Sequence, residues 1–258
     1  MTEVEWWRLK AADINALAAR GAVAIVPVGS TEQHGPHLPT QVDALLAGEV
    51  ARRAAREVSG RMPVVVTPPV WTGLAEHHMG LGATISIDFA TFAALLRGIV
   101  GSLHRQRFRR ILLLNGHGGN IAALTVIVND LAVAFDAPIA TAAYWQLAGA
   151  EFGAILERQR TVRHACEAET SMLLALAPEL VDMAAAANAV GPTSPELAEV
   201  AGTDAVHRYR AFSARTSHGV IGDPRAATRE KGEALLDAAA RAVAALVANE
   251  AFWNLPDR

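Results

Sequence analysis

Short, uninterrupted apolar runs alternate along this chain with longer segments whose apolar residues recur at helical spacing. Runs at 23–28, 63–67, 111–114 and 138–143 read as buried strands, and the segments 44–58, 89–106, 121–134, 167–176 and 230–248 as amphipathic helices. This alternation predicts an α/β fold of three layers, α/β/α, in which a mostly parallel sheet is sandwiched between helices. Asp88 is placed to cap the second long helix, and Asp223-Pro224 marks a turn or helix start. Ala184 to Ala187 form a small biased tract, and 191–195 reads as an exposed loop. With no internal repeat and no linker, residues 1–258 read as one domain.

Three polar clusters interrupt the apolar pattern. The first run opens into Ser30-Thr31-Glu32-Gln33-His34-Gly35-Pro36-His37, with Asp43 six residues on. Open α/β sheets place their sites at the carboxyl ends of strands. Glu32 and His34 project to one side of a still-extended backbone, and Gly35-Pro36 turns the chain so that Asp43 can approach them. Oxygen and imidazole donors converging there suit zinc, manganese or iron. A Glu-x-His pair alone is common on surface loops. The second cluster, Asn115-Gly116-His117-Gly118-Gly119-Asn120, changes that reading, because it also puts a histidine just past a buried run. Its glycines allow close backbone approach, and the amides of Gly118 and Gly119 at a helix start can face an anion or a polarised carbonyl. The third cluster, His164-Ala165-Cys166-Glu167-Ala168-Glu169-Thr170-Ser171, supplies further acids. Helical spacing puts Glu167 on the face of His164 and turns Glu169 away by about 200°. An acidic first helical turn is also what the macrodipole favours without any chemistry.

Together these stretches resemble the creatininase family of metal-dependent amidohydrolases. The similarity rests on Val26 to Pro39, Asn115 to Asn120, His164 to Ser171 and Gly219 to Pro224, in the family's order and spacing, and runs from about Val23 to the final helix. The resemblance implies a site for two divalent ions, zinc and/or manganese with iron as an option. Glu32, His34, Asp43 and His117 fall on the family's ligand positions, with Asp43 bridging. His164 falls on the histidine that assists proton transfer. It also implies hydrolysis of a C–N bond in a small amide, cyclic amide or formamide. The alternatives are a short peptide, a C–C bond of an oxidised cyclitol, or a metal-stabilised scaffold without turnover. A homohexamer built as a trimer of dimers is implied as well.

The chain departs from the creatinine-hydrolysing members twice. Gly119 stands where they carry a ligand glutamate, and no aromatic residue precedes His164 where they carry a tryptophan. The missing carboxylate is assigned to Glu169 by the resemblance, whereas spacing favours Glu167; the acid that does not coordinate is then expected to shuttle protons. Creatinine is therefore not the expected substrate. His78, after the second strand, and Trp145, after the fourth, are candidate substrate contacts at the rim, with loop hydrogen bonding or packing as the plain alternatives. His37 is a candidate for orienting a ligand.

Composition narrows the remaining classes. With 23 basic and 26 acidic residues the formal charge is −3, and no basic stripe stands out, so nucleic acid is not an expected partner. A lone cysteine excludes an intrachain disulfide and suits a reducing compartment. The Trp-containing amino end does not resemble a signal peptide, and the apolar runs look shorter than the roughly 20 residues a bilayer requires. The expected location is cytoplasmic, away from membranes.

Overall fold

The structure, a computed structural model, describes residues 2–192 and 208–254. Strands β1 (Val23–Val28), β2 (Val64–Val66), β3 (Arg110–Asn115) and β4 (Ile139–Ala143) form one parallel sheet in the order β2-β1-β3-β4. Between and after them lie helices α1 (Ala11–Ala19), α2 (Val42–Val58), α3 (Phe89–Arg105), α4 (Ile121–Phe135), α5 (Tyr144–Leu147) and α6 (Gly149–Ile155). The carboxyl-terminal part adds α7 (Glu167–Leu176), α8 (Met183–Ala186), α9 (Arg229–Val247) and α10 (Glu250–Trp253).

Side chains on a strand alternate between its faces, and here both faces are covered. Val23, Ile25, Val64, Val66, Leu112 and Leu114 pack in one core with α2, α7 and α9. Ala24, Val26, Val65, Ile111 and Leu113 pack in the other with α1, α3 and α4. This double burial is why the strands read as unbroken apolar runs. The chain leaves β1 into α2 on the first face and leaves β3 into α4 on the second. Neighbouring strands whose continuations part in this way open a crevice at their carboxyl ends. Val28 pairs in register with Asn115, so the loops after β1 and β3 emerge side by side at that crevice.

Several local expectations need correction. Helix α1 has no counterpart in the sequence reading, because only Ile14 and Ala18 turn inward and its apolar face is too thin to show. Ahead of it, Val66 N–H donates to Val4 O at 2.8 Å, so the amino-terminal segment lies beside β2, a pairing no local pattern encodes. Trp6 packs on Phe108 with ring centroids 5.4 Å apart, while Trp7 is exposed. Gly191, expected in an exposed loop, is buried with its N–H on Gly222 O at 2.8 Å; 193–195 lie outside the described residues. Gly118–Phe135 does reach the length and apolar character of a membrane span. One face of α4 packs on the sheet through Leu124, Ile127 and Leu131, while Val126 and Val133 on the same helix are exposed. Asp88 caps α3 as expected, its carboxylate accepting from Thr91 N–H at 2.8 Å.

Helix α9 crosses α7 at Gly232, where a side-chain carbon would collide with the Ser171 carbonyl. Gly232→Ala should gain under 1 kcal/mol in helix propensity and lose about 1–3 kcal/mol or more to overpacking, so overpacking wins. Thermal denaturation should show a fall of roughly 2–4 °C for each kcal/mol lost. An unchanged or raised midpoint would mean the two helices separate without cost.

Candidate metal centre

Two glycines bring Asp43 to the ends of β1 and β3. A side-chain carbon on Gly29 would lie 2.5 Å from Ala44 N and 2.9 Å from the Asp43 carbonyl carbon, and one on Gly116 would collide with Asp43 O. The first turn of α2 is thus pressed onto both strand ends, with Asp43 at the positive end of the helix dipole, where an anion is favoured. Asn115 folds the following turn: its Oδ1 accepts from His117 N–H at 3.1 Å and its Nδ2 donates to His117 O at 2.7 Å. Asn120 then ties the loops together, donating to Gly29 O at 3.1 Å and accepting from Leu74 N–H at 3.0 Å.

The donor atoms converge. His117 Nδ1 lies 3.0 Å from both Glu32 Oε2 and Asp43 Oδ2, and His34 Nε2 lies 3.2 Å from Asp43 Oδ1. These approaches lack hydrogen-bond geometry, so both oxygens of Glu32, Oδ2 of Asp43 and Nε2 of His34 are buried without a hydrogen-bond partner. Leaving buried polar atoms unpaired is costly. Atoms aimed at a common point rather than at one another fit a cation between them. Two groups have ligand atoms all within 4.8 Å of one another, Glu32–Asp43–His117 and His34–Asp43–Glu169, and Asp43 belongs to both. A third group joins Glu32, His34 and His164.

The imidazole tautomers agree with this arrangement. A carbonyl can only accept, so His34 donates from Nδ1 to Glu32 O at 3.1 Å and His117 donates from Nε2 to Leu74 O at 3.1 Å. The nitrogen that faces the carboxylates is in each case the other one, and once it loses its proton to an incoming cation it presents the lone pair that a metal-binding histidine needs.

The structure separates the two acids of α7. Ala165 takes a left-handed turn at φ 54° just before the helix, so His164 is not in helical register with the residues after it. Glu169 folds back, accepts from Ala165 N–H at 2.6 Å and joins His34 and Asp43. Glu167, expected as a proton shuttle, belongs to none of the three donor groups. Its fully buried carboxylate accepts from Lys231 Nζ at 2.6 Å and from the backbone N–H groups of Glu157 and Arg158 at 3.1 and 2.8 Å.

Burial and mutual charge set the protonation of the cluster. Burial pushes Glu32 up, but the His117 and His78 imidazoles outweigh it and hold the carboxyl well below the usual range. Glu169 rises to about 7, through burial and the Asp43 and Glu32 charges against the pull of His34. Burial opposes protonation of His34, yet Asp43, Glu169 and Glu32 raise it to about 9. His117 is raised well above its ordinary value by Glu32 and Asp43 in spite of burial. Burial and the neighbouring His34 and His78 depress His164 well below it.

The surroundings differ from expectation in several places. His78, expected at the rim, is buried: its Nδ1 accepts from the Gln33 amide at 2.8 Å, and its Nε2 lies 3.1 Å from Glu32 Oε1. It faces the acid rather than solvent. Trp145 is half-buried, edge-on to Tyr144 at 5.1 Å, and packs against the apolar core. The aromatic over the cluster is instead Phe212, with centroids 4.0 Å from His78, 4.9 Å from His164 and 5.4 Å from His77. Gly118 borders open space, whereas a side-chain carbon on Gly119 would collide with His117 Nε2 and lie 2.7 Å from His77 Cε1. No acid fits at 119. His37 donates or accepts at Thr170 Oγ1, 3.0 Å away, beside Glu169. Gln33, unassigned in the sequence reading, links His78 to Gly35 N and Gly219 O, and its amide occupies the space a side chain at Gly219 would need. Its position inside the Glu32–His34 motif was the available signal. Phe212 had none, because it reaches the site only through tertiary packing.

Comparison with known proteins agrees with this geometry. The family model for creatininase, creatinine amidohydrolase, matches residues 7–247. A mycofactocin precursor peptide peptidase of Mycobacterium ulcerans is 34% identical over 216 residues, 81% of this chain and 77% of the relative. Creatinine amidohydrolase of Pseudomonas putida is 28% identical over 256 residues, 91% and 92% of the two chains. Solved creatininase structures include a Zn–Zn type and a manganese form, each at TM-score 0.77, with 25% and 26% identity, 97% and 96% of this chain, and 99% of those chains covered. Two strand-end clusters, an acid from α7 and a match across nearly the whole sequence place this chain in the creatininase family of hydrolases.

Proposed function

We propose that this enzyme hydrolyses a C–N bond of a small amide, cyclic amide or formamide with a pair of divalent cations, zinc or manganese. The observation that carries the reading is the pair of donor groups that share Asp43, built from buried atoms with no other partner. Glu32, Asp43 and His117 would hold one ion, and His34, Asp43 and Glu169 the other. When bound, such ions supply Lewis acidity toward a carbonyl oxygen and acidify water to a pKa near about 7.

The protein's own residues account for orientation and proton movement. His164 donates from Nε2 to Gln33 O at 2.7 Å, so Nδ1, 3.5 Å from Glu32 Oε1, is the atom that faces the cluster. We assign it uptake of the proton that the attacking water gives up and its delivery to the leaving nitrogen. Glu167 takes no part in that transfer, since its oxygens are committed to Lys231 and the backbone of 157–158. Its role is to fix the start of α7 and with it the reach of Glu169. Gly118, at the entry to α4 and open on its side-chain face, leaves room for a carbonyl beside the backbone amides. Phe212 keeps water from the histidine layer. The relatives support both amide and peptide substrates. Family resemblance also supports a hexamer, and exposed Val126 and Val133 on α4 are apolar surface such an assembly would cover.

Asp43→Ala should abolish binding at both positions. Elemental analysis of protein purified without chelator should give close to two ions per chain before the change and none after it, and unchanged metal in the variant would sink the assignment.

Glu169→Gln should lose one ion and essentially all turnover. Glu167→Gln should keep both ions while lowering the melting temperature, because an amide cannot replace the buried carboxylate that receives Lys231 Nζ and two backbone N–H groups. Metal content reversed between the two variants would make Glu167 the ligand.

A panel of lactams, formamides and short peptides should contain a substrate that a chelator silences. Creatinine should be turned over far below about 10 s⁻¹, because neither the glutamate at 119 nor the aromatic before 164 is present. Ordinary creatinine turnover would overturn the specificity argument.

A further inference from the structure

We infer that Gln33 is a positioning residue that turns His78 and His164 to opposite uses at one carboxylate oxygen, so that His78 presents a proton to Glu32 Oε1 while His164 presents a lone pair. This rests on the two-cation, amide-hydrolase reading of the same centre and adds the group that divides its proton donors from its proton acceptors.

The Gln33 amide is fixed at both ends by backbone. Its Oε1 accepts from Gly35 N–H at 2.9 Å and its Nε2 donates to Gly219 O at 3.3 Å, so the oxygen and nitrogen cannot exchange places. Gly35 and Gly219 sit at φ 68° and 86°, where other residues are strained, and the amide fills the space a side chain at 219 would need. The second amide proton goes to His78 Nδ1 at 2.8 Å. With both protons placed, none is left for His164 Nε2, 3.2 Å away, which donates instead to Gln33 O at 2.7 Å.

The consequences for the two rings differ. An amide N–H only donates, so His78 Nδ1 carries the lone pair and the proton of the ring lies on Nε2, 3.1 Å from Glu32 Oε1. His164 also has its one proton on Nε2, since burial and the neighbouring imidazoles disfavour a second. There, however, Nε2 is turned away to the carbonyl, and Nδ1 faces the same oxygen at 3.5 Å. The donor groups agree. His164 joins Glu32 and His34 in one, whereas His78, the nearer of the two to Glu32 Oε1, belongs to none. An N–H beside Oε1 is attracted to the carboxylate and leaves Oε2, 3.0 Å from His117 Nδ1, to serve the ion shared with Asp43. A lone pair there would repel the carboxylate and compete for the ion. Phe212 lies over both rings, and Gln33 is the one hydrogen-bond partner of the His78 ring among the described residues.

The test reads protons and metal as well as turnover. Gln33→Met keeps the length of the side chain and removes its N–H and carbonyl groups. Nitrogen–proton correlation spectra of isotope-labelled imidazoles, taken on metal-free and zinc-loaded wild type, should show His78 and His164 each as the single Nε2–H tautomer. In Gln33→Met, His78 should become a mixture of tautomers. Calorimetric zinc titration should then show the ion of Glu32, Asp43 and His117 weakened by about 10- to 100-fold, the cost of losing an outer partner of a metal ligand, with the other ion unchanged. His78→Gln, which restores an N–H near the Nε2 position, should hold that ion more tightly than His78→Leu. Wild-type tautomers and zinc affinity in Gln33→Met overturn the inference even if its melting temperature falls, since a merely structural amide would behave so. Cadmium-to-nitrogen coupling at His78 Nε2 in cadmium-loaded wild type also overturns it, because that nitrogen would then be a ligand. Should Gln33→Met fail to fold, equal zinc affinity in His78→Gln and His78→Leu overturns it in the same way. If the wild type binds no zinc, the two-cation reading fails by itself, and the metal-free spectra still decide the role of Gln33.

Discussion

Three carboxylates, Glu32, Asp43 and Glu169, lie buried beside the imidazoles of His34, His117 and His164. Charge that has lost its water must be matched, or the fold that buries it is penalised by several kcal/mol per ion. The matching cannot come from hydrogen bonds, since the nearest nitrogens and oxygens approach without aiming at each other. Much of the surrounding architecture serves this constraint. Gly29 and Gly116 let α2 close on the sheet, Asn120 pins the two loops, and backbone carbonyls set the tautomers of His34 and His117.

A second ionic knot is treated in the opposite way. Glu167 and Lys231 meet at 2.6 Å, and the glutamate also receives two backbone N–H groups. This carboxylate is satisfied within the protein, so it has nothing left to offer a ligand. Two glutamates two residues apart thus differ: Glu169 accepts one backbone N–H and lies among the donors of the centre, whereas Glu167 spends its oxygens on structure. Satisfaction of hydrogen-bonding capacity, rather than residue type or burial, distinguishes them.

The strands and long helices were legible because each is decided locally: a doubly buried strand must be apolar throughout, and a covered helix must carry one apolar stripe. Helix α1 escaped because its stripe is only Ile14 and Ala18. The first donor clusters were legible for a related reason, since strand ends are readable and the crevice follows from topology. Between the two acids of α7 the resemblance pointed to Glu169, while spacing pointed to Glu167 because it assumed a helix continuous with His164, and the left-handed Ala165 breaks that register. For His78 and Trp145, chain position alone left a substrate contact open beside loop hydrogen bonding or packing; tertiary contacts bring His78 to Glu32 and Trp145 onto the core. Phe212 and Lys231 had no local signal; their neighbours come from distant parts of the chain.

That dispersal bears on how the molecule acquires its structure. The loop after β1 and the first turn of α2 form early in the chain, His117 follows β3, and Glu169 arrives only with α7. Loop closure between such distant segments is entropically costly, and parallel sheets with non-local contacts are slow to assemble. A growing or partly collapsed chain can present Glu32, His34 and Asp43 but lacks the donors that complete either group. The donor groups are therefore complete only once the sheet is formed and α7 has docked, so an ion that needs them would favour the finished topology. In this sense the centre acts as a checkpoint on assembly, rewarding the native arrangement over compact alternatives that bury the same apolar surface.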